Sequence, residues 1–208
     1  GEKGEEKKVK IPSDELILIT QDNGPGIPYT SIDKVFGRLL FGSRFHTISQ
    51  TRGQQGIGIT GVVMYSQLTT GKHTHVISKV SEEGVAVHID IGIDTRKNRA
   101  IKSNHKREPW LDENGIDIPH GVKIEARMKG RYQKGRKSVY QYLRMTSIVN
   151  PHAAISFRLV DEDGRVIEQA SWPAVTEKLP APVKEILPHP HGVEIGTLQR
   201  MLRESEQR

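Results

Sequence analysis

Apolar residues recur in the chain with two periods, one typical of strands and one typical of helices. The clearest alternation runs through residues 85–93, where every second position from Val85 to Ile93 is a branched aliphatic residue. A period of two predicts a strand with one buried face. Alternating or short β-rich runs predict further strands. These runs are residues 15–21, 75–80, 122–128, 154–160 and 165–170, of which the last two flank the turn residues Asp161 to Gly164 and predict a hairpin.

Helical spacing begins at Ile32 and continues at positions i+3, i+4, i+7 and i+8 as far as Leu40. It predicts an amphipathic helix with Thr30 or Ser31 as its N-cap. Residues 57–68 are apolar nearly all round, which predicts a buried helix. Further helices are predicted for residues 138–149, ending before a proline, and from residue 195 onward. Residues 41–56 and the basic stretch 95–107 lack a period and are predicted to be loops.

The order of these elements predicts an α+β fold, a two-layer α/β sandwich in which helices cover one face of a mixed sheet. Residues 1–14 are charged and are interpreted as a solvated tail, while residues 15–172 form the main domain. Prolines at 173, 180, 182, 188 and 190 predict a stiff linker over residues 173–191. Residues 192–208 then begin a second, helical domain.

Composition narrows the possible functions only moderately. The 208 residues include no cysteine, which excludes disulfides and thiol catalysis, and the net charge of +6 is compatible with a polyanionic partner. No apolar run approaches the ~20 residues that cross a bilayer, and the charged start is not a signal peptide. We therefore expect no membrane partner and a cytoplasmic location. The chain begins with Gly1 and not methionine, which suggests an excised segment.

The first motif with chemical potential is the sequence DNGPGIP from Asp22 to Pro28, at the end of the first predicted strand. Gly24 and Gly26 allow positive φ and close backbone approach, and the prolines stiffen the turn. A carboxylate held there is suited to accept a hydrogen bond from an exocyclic amine. The alternative is an ordinary turn in which Asp22 caps its own backbone.

The second motif is RGQQGIGIT from Arg52 to Thr60, in which glycines lead directly into a predicted helix. Free amides at the positive end of a helix dipole form a phosphate site. The alternative is a flexible loop that closes on a helix start. The same stretch spells GxGxxG, but no strand precedes it and no acid follows at the required spacing, so a dinucleotide fold is rejected. No Walker A loop is present.

Together the two motifs resemble the nucleotide site of the GHKL ATPases. DNGPGIP, KVFGRLLFGSRF, RGQQGIGI and YSQLTTGK, followed by GRYQKGRKSVYQYLR, IVNPHA and PHPHGVEIGTL, closely resemble the B subunits of topoisomerase VI. The similarity extends from about residue 15 onward. It implies a GHKL (Bergerat-type) sandwich and, from residue 192, the start of a helix–two-turn–helix domain.

The resemblance also implies roles for individual residues. Asp22 would bind the adenine amine in a pocket shaped by Gly24 and Gly26, and Ser43 and Arg44 would belong to a lid. The triphosphate would be wrapped by Gly53, Gln54, Gln55, Gly56, Ile57, Gly58, Ile59 and Thr60. In this family, ATP with Mg²⁺ makes two B subunits dimerise as a clamp on double-stranded DNA, and a separate A subunit cleaves the DNA.

Two parts of the family pattern are missing from the chain. The family's first motif, with a catalytic glutamate and a Mg²⁺-binding asparagine, has no counterpart in residues 1–14, and the transducer domain is absent too. We therefore predict no catalytic residue and no metal ligand in these 208 residues. Expected locations of the whole protein are the cytoplasm and the nucleoid.

Clusters of cations leave a second class of function open, a nucleic-acid-binding module with a vestigial nucleotide pocket. Spaced cations neutralise phosphates without reading sequence. The candidates are Arg96, Lys97, Arg99, Lys102, Lys134 and Arg136, with further cations at Lys106, Arg107, Lys129, Arg131 and Lys137. A solvated face is the alternative interpretation, and another GHKL branch is a third possibility. The two His-x-His pairs, at 73/75 and 189/191, are interpreted as ordinary hydrogen-bonding side chains and not as metal ligands.

Overall fold

A computed structural model describes residues 14–40, 56–81, 84–181 and 193–205. These residues contain seven strands and four helices in the order β1, α1, α2, β2, β3, β4, β5, α3, β6, β7, α4. The strands are β1 Glu15–Asp22, β2 Thr74–Lys79, β3 Ala86–Asp94, β4 Arg99–Glu108, β5 Gly121–Lys129, β6 Ile155–Val160 and β7 Val166–Trp172. The helices are α1 Tyr29–Gly37, α2 Gly58–Thr70, α3 Val139–Val149 and α4 Ile195–Ser205.

Five of the strands form one sheet in the order β1-β5-β2-β3-β4. β5 lies between β1 and β2 and is antiparallel to both, and β2, β3 and β4 follow one another by antiparallel pairing. The α+β class is confirmed, but the prediction of a mixed sheet is wrong for the described strands, whose pairings are all antiparallel. The short connections from β2 to β3 and from β3 to β4 account for the antiparallel order there, since only a longer crossover permits parallel pairing.

One face of this sheet carries α1 and α2 and the main core. Ile32 and Phe36 of α1 and Val63 of α2 are buried against β2, β3 and β5. The alternating residues of β3 that predicted a strand supply the largest share of this core. The sandwich therefore has its helices on one side, as predicted.

The opposite face of the sheet has a smaller apolar cluster. Trp110, in the segment that joins β4 to β5, packs on Ile77 and Ala86. Beside it, Lys79 Nζ lies 2.6 Å from Asp117 Oδ2, although the Lys79 side chain is almost fully buried. A buried ammonium needs such a partner because desolvation of an unpaired charge is costly. The connecting segment is thereby held against the end of β2.

The prediction of a loop over residues 95–107 is wrong, because most of this stretch belongs to β4. β4 is an edge strand that pairs with β3 along its length, with a bulge opposite His88 and Asp90 and a positive φ of 51° at Asn104. Its side chains are almost all exposed, so the hydrophobic period that reveals a half-buried strand is missing. Charged residues on an edge strand also discourage pairing with other chains.

Two helix predictions also need correction. α1 begins at Tyr29, after Pro28 in the cap position, and neither Thr30 nor Ser31 is its N-cap. α2 is buried on one side only: Thr60, Val63 and Ser66 face the sheet, whereas Leu68 is 74% exposed. The buried side of α2 carries polar side chains, so the burial of this helix does not follow its apolar residues. Ser66, for example, donates a hydrogen bond of 2.8 Å from Oγ to the Arg127 carbonyl in β5.

The strands β6 and β7 form a separate two-stranded sheet, which confirms the predicted hairpin. α3 packs on this hairpin through Tyr140, whose ring meets those of Phe157 and Trp172 edge-on. Ser138 caps α3 by accepting a hydrogen bond from the Gln141 amide. α4 confirms the predicted last helix, while the linker beyond residue 181 lies outside the described residues. No described helix is long and apolar enough to cross a membrane.

We expect Phe36→Ala to lower the free energy of unfolding by about 3 to 5 kcal/mol, because it leaves a cavity in the core. Phe36 is 2% exposed, whereas Leu68 in α2 is 74% exposed. Leu68→Ala should therefore change stability by less than about 0.5 kcal/mol. Urea unfolding followed by circular dichroism measures both variants, and equal shifts of the two midpoints would contradict the assigned core.

Candidate functional site

The turn that follows β1 is built around the carboxylate of Asp22. Asp22 Oδ1 accepts a hydrogen bond of 2.8 Å from the Gly24 amide, two residues further on. The self-capping turn that the sequence left open as an alternative is therefore present. It does not use the whole carboxylate, since no described residue donates a hydrogen bond to Oδ2. Asp22 is also solvent-exposed, so its second oxygen is able to accept a further donor.

The turn lies directly against the end of β2. Gly26 has a φ of +75°, and a Cβ added there would be 2.1 Å from the Lys79 carbonyl oxygen. Only glycine meets both requirements, the left-handed backbone and the close approach. One residue further on, the Ile27 amide donates to Ser78 Oγ at 2.7 Å, and the same hydroxyl donates to the Ile27 carbonyl at 2.8 Å.

The start of β5 holds the turn from another side. His120 Nδ1 lies 2.8 Å from the Gly24 carbonyl oxygen, which accepts its proton. A Cβ at Gly121 would be 2.1 Å from the Asp22 carbonyl oxygen, so the two backbones touch. No local sequence signal marks His120 and Ser78, which are 96 and 51 residues from their partners in the turn. Only the order of strands β1, β5 and β2 brings them together.

The second predicted motif ends in the first turn of α2. Gly56 has a φ of +62°, and Ile57, in the cap position, provides no side-chain hydrogen bond to the helix amides. The first turn contains no acidic residue, and the space around Gly58 and Gly61 is open. An uncapped helix start leaves backbone N–H groups without partners within the helix. These amides are suited to bind an anion.

The two motifs lie on the same side of the sheet. Ile27, from the turn after β1, and Ile59, from the first turn of α2, both pack against the core between the helices and the sheet. Among the predicted site residues, Asp22, Gly24, Gly26, Gly56, Ile57, Gly58, Ile59 and Thr60 are described. Ser43, Arg44, Gly53, Gln54 and Gln55 lie outside the described residues, as does Arg52.

The predicted phosphate-contacting cations fall into two exposed groups. Arg96 and Lys97 lie in the turn between β3 and β4, and Arg99 and Lys102 lie in β4 itself. Lys102 Nζ also lies 5.4 Å from the centre of the Tyr29 ring, at the start of α1. Lys134 and Arg136 precede α3, where an open cleft of about 660 Å³ is lined by residues 135–138, 141, 142 and 145.

The first His-x-His pair belongs to the sheet face that lacks helices. His75 Nδ1 lies 2.6 Å from Asp90 Oδ1, and His73 Nδ1 lies 3.2 Å from Ser103 Oγ. Both histidines thus make hydrogen bonds, as interpreted from the sequence. Burial lowers the pKa of the neighbouring His88, which disfavours its charged form. The pair at 189 and 191 lies outside the described residues.

The fold and the two motifs define a class: an α+β sandwich, consistent with the GHKL type, with an acid-glycine turn and a glycine-led helix start on the helix side of the sheet. No protein-family model matches the chain. Relatives are nevertheless evident. The chain is 49% identical over 197 residues to the B subunit of type 2 DNA topoisomerase 6 of Archaeoglobus fulgidus, a match that covers 94% of the chain.

Further relatives carry the same name. The chain is 47% identical over 196 residues to the protein of Methanococcoides burtonii and 46% identical over 195 residues to that of Natronomonas pharaonis. The chain spans 31%, 30% and 23% of the lengths of these three relatives. It matches a segment of these type 2 DNA topoisomerase 6 B subunits, and the resemblance seen in its motifs is confirmed.

Gly26→Ala should destabilise the fold more than a glycine substitution at an open position with the same backbone conformation. Gly115 provides that control, since its φ is +78° and a Cβ there would meet nothing within 4 Å. Gly115→Ala should cost only the backbone penalty of about 1 kcal/mol. Gly26→Ala adds the collision with the Lys79 carbonyl and should cost at least about 2 kcal/mol more. Equal losses of unfolding free energy in the two variants, measured by urea unfolding, would show that Gly26 does not lie close to the Lys79 carbonyl.

Proposed function

We propose that the chain is the ATP-binding portion of the B-type polypeptide of a type II DNA topoisomerase. In the intact enzyme, ATP binding would drive dimerisation of two B subunits, and this dimerisation would gate strand passage and relax supercoils. The support is the similarity over 94% of the chain to proteins of that name, together with the geometry of the turn at Asp22. A nucleic-acid-binding module with a vestigial pocket, or another GHKL ATPase, are the alternatives.

The observation that carries the proposal is the carboxylate of Asp22, which is fixed through Oδ1 while Oδ2 receives no hydrogen bond from any described residue. Oδ2 would accept a hydrogen bond from the exocyclic amine of adenine, and a carboxylate makes a stronger bond of this kind than a neutral acceptor. The amides at the start of α2 would meet the phosphates, supported by the positive end of the helix dipole. Residues 43, 44 and 53–55 would complete the lid and the phosphate loop.

Among the described residues, no group of three or more His, Asp or Glu side chains is placed to hold a metal ion. We assign no metal ligand among these described residues, and Mg²⁺ would enter as the complex with the triphosphate. Since no residue of the chain matches the family's catalytic glutamate, we expect the chain to bind ATP without hydrolysing it.

Double-stranded DNA and the DNA-cleaving A subunit are the proposed macromolecular partners, in the cytoplasm and at the nucleoid. Lys134 and Arg136 are exposed in the loop before α3, beside an open cleft. Arg96, Lys97 and Arg99 project from the β3–β4 hairpin. Cations on exposed loops neutralise DNA phosphates and give binding that depends steeply on salt.

Asp22→Ala should weaken binding of a non-hydrolysable ATP analogue, in the presence of Mg²⁺, by about 10- to 100-fold. This range follows from the loss of a charge-assisted hydrogen bond. Titration calorimetry of the chain measures the effect.

Asp112→Ala is the matched control for this experiment. Asp112 Oδ1, like Asp22 Oδ1, accepts a hydrogen bond of 2.8 Å from the amide two residues further on, that of Asn114, and it accepts a second of 2.8 Å from the Ile116 amide. Its loss should leave nucleotide affinity unchanged. Absence of binding by the unaltered chain, or equal affinities for the unaltered and Asp22→Ala chains, would refute the proposed role.

Replacing both Lys134 and Arg136 by alanine should weaken binding to a DNA duplex and make it less sensitive to salt. If each cation contacts one phosphate, the slope of log K against log salt should fall by about 2. Arg165 and Lys178, which are also exposed, provide a control pair with the same charge change. Fluorescence anisotropy of a labelled duplex at several salt concentrations measures these slopes. Identical slopes for the two double variants would show that Lys134 and Arg136 do not contact the DNA.

A further inference from the structure

The peptide groups around Gly24 are held from both sides. The Gly24 amide donates to Asp22 Oδ1, and the Gly24 carbonyl accepts a proton from His120 Nδ1, each at a distance of 2.8 Å. The orientation of the Asp22 carboxylate therefore depends on Gly24, and the orientation of Gly24 depends on His120. Because a carbonyl oxygen has no proton to give, this contact requires the form of His120 that carries a proton on Nδ1.

His120 is itself fixed by its neighbours in the chain. Gly121 begins β5 and its backbone touches the Asp22 carbonyl, so the strand start cannot shift without moving Asp22. On the other side, Ile118 packs against the small apolar cluster, and Asp117 is paired with the buried Lys79. The imidazole thus projects from a segment that is anchored both before and after it.

We infer that His120 is a positioning residue for base recognition, holding the Gly24 carbonyl so that Asp22 presents its second oxygen in one fixed direction. This inference rests on the proposed nucleotide function. Hydrogen bonds discriminate between ligands only when the acceptor is held in place, because a mobile acceptor adapts to either ligand. Loss of the His120 contact would loosen the acceptor and reduce selectivity for a 6-amino purine over a 6-oxo purine.

The test compares the affinities of non-hydrolysable ATP and ITP analogues, which differ at the position that Asp22 would contact. The unaltered chain should prefer the ATP analogue by at least about tenfold, the value of one well-placed hydrogen bond to a charged group. His120→Ala should reduce this ratio by about three- to tenfold, mainly through weaker binding of the ATP analogue. His120→Asn, whose amide nitrogen reaches a position close to that of Nδ1, should restore most of the ratio.

His73→Ala is the matched control, since His73 is also partly buried and hydrogen-bonded but lies before the opposite end of β2, about 20 Å from Lys79 along the strand. It should leave the ratio unchanged. A residue with only a structural role would lower both affinities together, so an unchanged ratio in His120→Ala would overturn the inference. If the unaltered chain bound neither analogue, the proposed function itself would be overturned. If it bound both analogues equally, there would be no base recognition, and the inference about His120 would be overturned.

Discussion

The side-chain hydroxyl of Ser78 makes the most consequential contact in this structure. It is buried at the end of β2, and it both accepts from the Ile27 amide and donates to the Ile27 carbonyl. A buried backbone segment is tolerated only when its polar groups find partners, and here one hydroxyl satisfies two of them. This allows a glycine-rich turn to lie against the sheet beside the core, where a loop would otherwise carry unpaired groups.

The position of this turn explains the arrangement around it. β1 ends where β5 begins and α1 starts immediately after the turn, so strand, helix and turn share a fixed geometry. Glycines at 26 and 121 allow the backbones to approach closely, while the Lys79–Asp117 pair holds the connecting segment in place. The segment from 117 to 121 therefore links the smaller apolar cluster on one face of the sheet to the turn at its edge.

The elements that the sequence revealed are those whose burial is one-sided and regular. β3 alternates strictly because one face meets the helices, and the hairpin of β6 and β7 has an unmistakable turn. β4 was missed because it is an edge strand with exposed side chains on both faces, and α2 was judged too buried because its sheet-facing side is partly polar.

In the candidate site, too, the residues predicted from the sequence are those with local signals. Asp22 and its glycines were identified because turn chemistry is local, and so was the glycine-led start of α2. Ser78 and His120 were not, because their partners are distant in the chain and the antiparallel order of the sheet was not predicted. Motif similarity supplied the family, since the two motifs taken singly each had an ordinary structural explanation.

The contact between α1 and β4 has an evolutionary consequence. A Cβ at Gly37 would lie 2.3 Å from the Cβ of Ala100, so the last residue of the helix touches the edge strand with no room between them. The same Cβ would lie 2.7 Å from the Cα of Ala100, so no smaller residue at position 100 makes room for a side chain at position 37. Related sequences that keep this contact should therefore keep glycine at position 37, and where residue 100 is larger than alanine the helix must end earlier or move outward.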